Sequence, residues 1–179
     1  LNKLKTLVEN LNKLNLRVTG QSEVKCTDSR KVDFIADESI NCIITSPPYL
    51  NAYDYHKYHR QRLHWLEADI PFTRKTEIGS HDTFTRKNAT PKKYFKDMHI
   101  CINEWQRVLK TSSYCLIVIG DSIVSKTPVK VADQLIDIFV EEGFSLKNRF
   151  IRELKKSNKS FNLKNSRINS EHILIFQKR

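Results

Sequence analysis

The 179-residue chain holds 31 Lys and Arg against 20 Asp and Glu, a net charge of +11 with a pI near 9.6, and that imbalance favours an anionic partner. The length suits one domain with a sizeable core, and no stretch approaches the ~18 continuous apolar residues of a membrane helix. With no signal-peptide pattern and no C-x-x-C among Cys26, Cys42, Cys101 and Cys115, the expectation is a soluble, cytoplasmic protein whose cysteines are buried small side chains rather than disulfides.

In chain order, Leu4, Leu7, Leu11 and Leu14 recur among Lys and Asn and predict an amphipathic helix ending near Gly20, packed on a sheet face. Glu23–Cys26 reads as a short strand, with Thr27-Asp28-Ser29-Arg30 a turn at its carboxyl end. Cys42–Ile44 is an apolar run that stops at Ser46-Pro47-Pro48-Tyr49 and predicts a buried strand. Prolines 47 and 48 cannot donate to a ladder, so the Ser46 and Pro47 carbonyls are held rigid beside a hydroxyl and an aromatic face. In an open α/β sheet, such a strand end is where ligands bind.

Residues 50–66 interleave aromatic and basic side chains, a composition able to stack on bases and contact phosphates; Tyr53, Lys57 and Arg60 are the candidates, whereas Leu63 and Trp65 read as core anchors. His56, His59 and His64 have no metal-ligand spacing. Residues 67–90 lack clear periodicity and predict a basic, DNA-facing insertion through Arg74, Lys75, Arg86 and Lys87. Thr90-Pro91 starts a helix whose apolar face is Tyr94, Met98, Ile102, Trp105 and Leu109. Tyr114–Ile119 is a buried strand, Thr127-Pro128 repeats the helix-start signal, and Val131, Leu135, Ile138 and Phe139 line the next helix up to Gly143. Residues 144–154 and 172–176 read as strands joined by a basic loop, 155–169, whose Lys155, Lys156 and Lys159 are further nucleic-acid candidates. The positive charge concentrates in two places: nine basic against four acidic side chains in 55–93, and eight against one in 147–169.

A corner of hydroxyl, fixed carbonyls and aromatic ring suits methylation of the exocyclic amine of a nucleobase. That amine's lone pair is delocalised into its ring, so a site must accept hydrogen bonds from the NH2 group and hold the base in line. Ser46 Oγ and the Pro47 carbonyl supply acceptors, and Tyr49 stacks on a base flipped out of the duplex.

Thr45-Ser46-Pro47-Pro48-Tyr49 resembles the catalytic motif of the amino DNA methyltransferases, which methylate cytosine N4 or adenine N6 with S-adenosylmethionine. Asn51-Ala52-Tyr53-Asp54-Tyr55 and Ile78-Gly79-Ser80 resemble further segments of that family. The resemblance implies an α/β fold: part of a doubly wound, Rossmann-like methyltransferase sheet ending in an antiparallel strand pair, with residues 1–179 a single catalytic half-domain. It implies catalytic roles for Ser46, Pro47, Pro48 and Tyr49, and cofactor contacts from Asp28, Ser29, Thr45 and Ser46. Double-stranded DNA is the implied partner, within a restriction-modification or similar system, and Ser rather than Asp at the head of Pro-Pro-Tyr tilts the expectation to cytosine N4. Methylation of RNA or of a protein amide, and a non-catalytic DNA-binding subunit, are the alternatives.

The family's Gly-rich cofactor turn is missing. The four glycines, Gly20, Gly79, Gly120 and Gly143, form no G-x-G, and Asp121 after Gly120 follows the wrong strand to serve as more than a pocket wall. Either a second polypeptide carries that turn, the favoured expectation, or the sequence is a piece of a longer chain.

Overall fold

The structure, a computed structural model, describes residues 20–85, 90–153 and 170–179. The expected helix over Leu4–Leu14, Arg86 and Lys87, and the loop bearing Lys155, Lys156 and Lys159 lie outside the described residues.

Four strands form the main sheet: β1 (Ile40–Thr45), β2 (Leu109–Gly120), β5 (Phe144–Glu153) and β6 (Ser170–Lys178), in the order β1-β2-β6-β5. β1 runs parallel to β2, with Ile43 opposite Cys115 and Thr45 opposite Ile117. β6 is antiparallel to both β2 and β5. The expected terminal antiparallel pair is therefore β5–β6, and the chain is mixed α/β with one parallel step, as a partial doubly wound sheet requires.

Two long helices cover one face. α5 (Pro91–Val108) turns Tyr94, Met98, Cys101 and Ile102 inward, and α6 (Val131–Glu141) does the same with Val131, Ala132, Leu135 and Phe139. They meet Cys115, Ile117 and Ile119 of β2 and Leu174 and Phe176 of β6, the alternate positions that the pleat puts on that face. Phe139 stacks on Phe176 at 3.9 Å between centroids and meets Phe144 edge-on at 5.0 Å. On the other face, Ile44, Tyr114 and Phe150 are exposed, Ile44 to 76 %.

Several expectations need correcting. Residues 23–26 form no strand: a single β-branched residue, Val24, lies 96 % exposed, and the stretch finds no partner strand among the described residues. Thr127-Pro128 starts no helix. It lies in β4 (Thr127–Val129), which pairs with β3 (Ser122–Val124) through Ser125 and Lys126, both at positive φ, the hairpin geometry that matches strand twist. α6 begins instead at Val131, where Asp121 Oδ1 accepts the Ala132 N–H at 3.1 Å. Asp121 is thus a helix cap.

The segment from 50 to 85 is also more ordered than its composition suggests. It contains α1 (Tyr55–Tyr58), α2 (Arg60–Trp65), α3 (Ile70–Thr76) and α4 (His81–Thr85). Asp69 caps α3 by accepting the Phe72 N–H at 2.9 Å. Trp65, expected in the core, is 86 % exposed, and Leu63 is half-buried. Cys101 and Cys115 are buried as expected, but Cys26 and Cys42 are exposed, Cys42 because the pleat puts it with Ile44 and Tyr114 on the face away from the helices.

Candidate active site

β1 ends at Thr45, and the next four residues form no regular structure, as two consecutive prolines dictate. The corner is clamped from three sides. Tyr94 of α5 donates its hydroxyl to the Pro48 carbonyl at 2.9 Å. Ser122 of β3 donates to the Leu50 carbonyl at 2.6 Å, and Asn51 Nδ2 donates to the Ile123 carbonyl at 2.8 Å. From the third side comes Ile78-Gly79-Ser80. The Asn51 N–H donates to the Gly79 carbonyl at 2.9 Å, and a Cβ on Gly79 would stand 2.9 Å from the Tyr49 carbonyl oxygen and 3.3 Å from the Tyr94 ring. Gly79 also has φ +75°, so both its conformation and the close approach call for glycine. The role of this Ile-Gly-Ser segment emerges here: it packs backbone to backbone against the catalytic candidate.

Ser46 is exposed, and its hydroxyl donates to the Val118 carbonyl of β2 at 3.3 Å. A hydroxyl has one hydrogen and two lone pairs, so with the hydrogen turned into the sheet the oxygen is left an acceptor. Pro47 is buried, while Thr45, Pro48 and Tyr49 are half-buried. The Tyr49 hydroxyl donates to Glu171 Oε1 at 2.8 Å, and Glu171 in turn accepts from Arg152 Nε at 3.1 Å and from its Nη2. Burial pushes the Tyr49 phenol up to about 12, with the Ser46 hydroxyl opposing and Glu171 reinforcing the shift, so the ring is neutral throughout the physiological range.

Asp28, one of the expected cofactor contacts, accepts the Arg30 N–H at 3.0 Å and grips the Arg30 guanidinium, with Nε at 2.9 Å and Nη2 at 2.7 Å. The Arg30 side chain holds the Asp28 carboxyl below its ordinary range despite partial burial. Arg30 also reaches Asp97 at 3.1 Å, on the α5 helix that carries Tyr94, so Asp28 and the Pro48 corner are fastened to one helix. Ser29 is exposed beside it.

Of the nucleic-acid candidates, Tyr53, Arg60 and Lys75 are exposed. Lys57 and Arg74 already have acidic partners: Lys57 Nζ bridges Asp54 at 2.9 Å and Asp82 at 2.6 Å, and Arg74 reaches Asp82 at 3.2 Å. Asp54 further accepts from the Ser80 hydroxyl and the Asp82 N–H, both at 2.7 Å, and His56 meets Glu77 at 2.5 Å. These two cations therefore hold α1, α3 and α4 together, a role that composition alone does not reveal.

Of the expected cofactor contacts, Thr45 and Ser46 stand at the carboxyl end of β1, outermost among the described strands, with β2 on one side and no described strand on the other.

The described helices include none long and apolar enough to cross a membrane. Among curated proteins none matches the sequence. Among solved structures, the fold is similar to PvuII DNA methyltransferase, a cytosine-N4-specific enzyme, at 18% identity and TM-score 0.53, over 86% of this chain and 48% of that one. It is similar to a SAM-dependent methyltransferase from Methanosarcina mazei at 14% identity and TM-score 0.51, over 97% of this chain and 76% of that one. A Thermus thermophilus protein complexed with S-adenosyl-L-methionine matches at 16% identity and TM-score 0.50, over 84% of this chain and 51% of that one. The chain spans about half the length of the Thermus and PvuII structures. A family model described as DNA methylase, N6/N4 type, matches residues 40–179, from the start of β1 through β6, and the chain belongs to that family.

Proposed function

We propose that the chain is the catalytic, base-binding half of an S-adenosylmethionine-dependent DNA methyltransferase acting on an exocyclic amine, with cytosine N4 preferred. The observation that carries this reading is the corner after β1, where the exposed Ser46 hydroxyl, whose oxygen can accept while it donates to Val118, stands beside the half-buried Tyr49 ring. In this reading Ser46 and the Pro47 carbonyl accept from the amine, Pro48 keeps the corner rigid, and Tyr49 stacks on the flipped base. Bound S-adenosylmethionine supplies the methyl group. Asp28, Ser29, Thr45 and Ser46 form its near wall, with Asp28 sharing its carboxylate with Arg30. The preference for cytosine rests on Ser, not Asp, ahead of Pro-Pro-Tyr.

Duplex DNA is the proposed substrate. Tyr53, Arg60 and Lys75 are the outward contacts, Lys57 and Arg74 contribute from within their ion pairs, and Arg86, Lys87, Lys155, Lys156 and Lys159, which lie outside the described residues, add further positive charge. The Gly-rich turn comes from a second polypeptide or another part of the same chain, adding sheet along the open side of β1. The test is Tyr49→Ala in the complete enzyme. A base–aromatic stack is worth about 1–3 kcal/mol, so turnover on duplex DNA falls about tenfold or more; unchanged turnover would sink the reading.

A further inference from the structure

The Tyr49 ring is held at its far end by a residue 122 positions away in sequence. Glu171 is the second residue of β6, and its carboxylate does two things at once. Oε1 accepts the Tyr49 hydroxyl at 2.8 Å, while Oε2 accepts from Arg152. Arg152 stands directly opposite Glu171 in the β5–β6 ladder, so the ion pair is a cross-strand pair whose spacing the sheet itself sets. Between Glu171 and β1 lies β2, and its residue opposite Glu171 is Gly120. Directly opposed residues share a face, so the position that would otherwise place a side chain on that face beside Glu171 has none. The phenol reaches from the end of β1 to the third strand of the sheet at a place where the strand between is bare.

We propose that Glu171 is a positioning residue for the reaction: ionised and steered by Arg152, it anchors the Tyr49 hydroxyl and so fixes the plane of the ring on which the target base stacks. This inference rests on the proposed stacking role of Tyr49. An unanchored ring swings about two side-chain torsions, and the base stacked on it loses its alignment with the methyl donor. Because the anchor acts on orientation, it governs turnover more than it governs binding of cofactor or DNA.

The experiment uses the complete methyltransferase, with turnover measured on duplex DNA that the wild-type enzyme methylates and base extrusion measured on the same duplex carrying 2-aminopurine in place of the target base. Glu171→Ala and Tyr49→Phe each remove one end of the same hydrogen bond. Each is expected to lower kcat about tenfold with KM for cofactor little changed, and to alter the fluorescence of the extruded 2-aminopurine equally. Glu171→Gln keeps an acceptor and restores most of kcat, and the Tyr49→Phe/Glu171→Ala double variant is no slower than either single one. Wild-type kcat in Glu171→Ala, or a double variant slower by the product of the two effects, overturns the proposal. Tyr49→Ala separates the two levels: if it leaves both turnover and 2-aminopurine fluorescence unchanged, it is the stacking role itself that fails.

Discussion

Gly79 shows how much of the corner depends on an atom that is absent. Its φ of +75° lies in the left-handed region, and a Cβ would come within 2.9 Å of the Tyr49 carbonyl. Gly79→Ala therefore carries a backbone penalty of about 1–2 kcal/mol and must also push the Tyr49 backbone aside. The expected result is a loss of stability of about 1–3 kcal/mol in denaturant titration, with a drop in turnover larger than that instability explains. A variant as stable and active as wild type would mean that the 78–80 contact does not hold Tyr49 in place. At the same scale, the rigid corner over Ser46, Pro47, Pro48 and Tyr49 was legible as a shape in the sequence, because two prolines after an apolar run leave few options for the backbone. Glu171 was not legible: nothing local marks a glutamate at the start of a strand, and only folding brings it to Tyr49.

Among the elements, the long ones could be read and the short ones could not. α5, β2, α6, β5 and β6 show sustained periodicity or continuous apolar runs, and each stands within a few residues of where its pattern predicts. The helices α1 to α4 span four to seven residues each, too few for a period to declare itself. Ion pairs hold α1, α3 and α4 together instead, with Asp54 and Asp82 facing Lys57 and Arg74. The Thr127-Pro128 signal failed because proline at the first turn of a helix and proline in a short edge strand look alike until a partner strand is known. The ion-pair cluster also carries a pH dependence. Burial raises the Asp54 carboxyl, but the Asp82 N–H, the Ser80 hydroxyl and Lys57 outweigh it and bring it down to about 2. A folded value below the unfolded ~3.9 contributes stability that is fully present above about pH 4 and lost as pH falls toward 2. Amide hydrogen exchange of residues 54–82 is expected to accelerate across that interval ahead of β2 and β6. Asp54→Asn should abolish the pH-dependent difference; a segment that exchanges in step with the core at every pH would contradict this.

For the molecule as a whole, the dominant fact is asymmetry. One face of the sheet is sealed by α5 and α6, while β1 is outermost among the described strands with Ile44 exposed, in a chain that spans half of several structures it resembles. An open parallel edge with apolar flanks invites association. The isolated chain is therefore expected to sediment as associated species at micromolar concentration, and Ile44→Lys to shift it toward monomer. If the wild-type chain is monomeric and gains nothing from the part bearing the Gly-rich turn, the edge is already satisfied and the proposed completion of the sheet is wrong. The charge distribution belongs to the same scale: the basic excess gathers in 55–93 and 147–169, which leaves the rest of the chain close to neutral.

The acceptors of the corner also differ in what they can meet. The Ser46 hydroxyl accepts while it donates to Val118, and turned about its torsion it donates instead. If a base sits there as proposed, the amine of cytosine or adenine finds acceptors in place, and discrimination against a carbonyl-bearing base such as uracil falls to the Pro47 carbonyl, which has no hydrogen to offer.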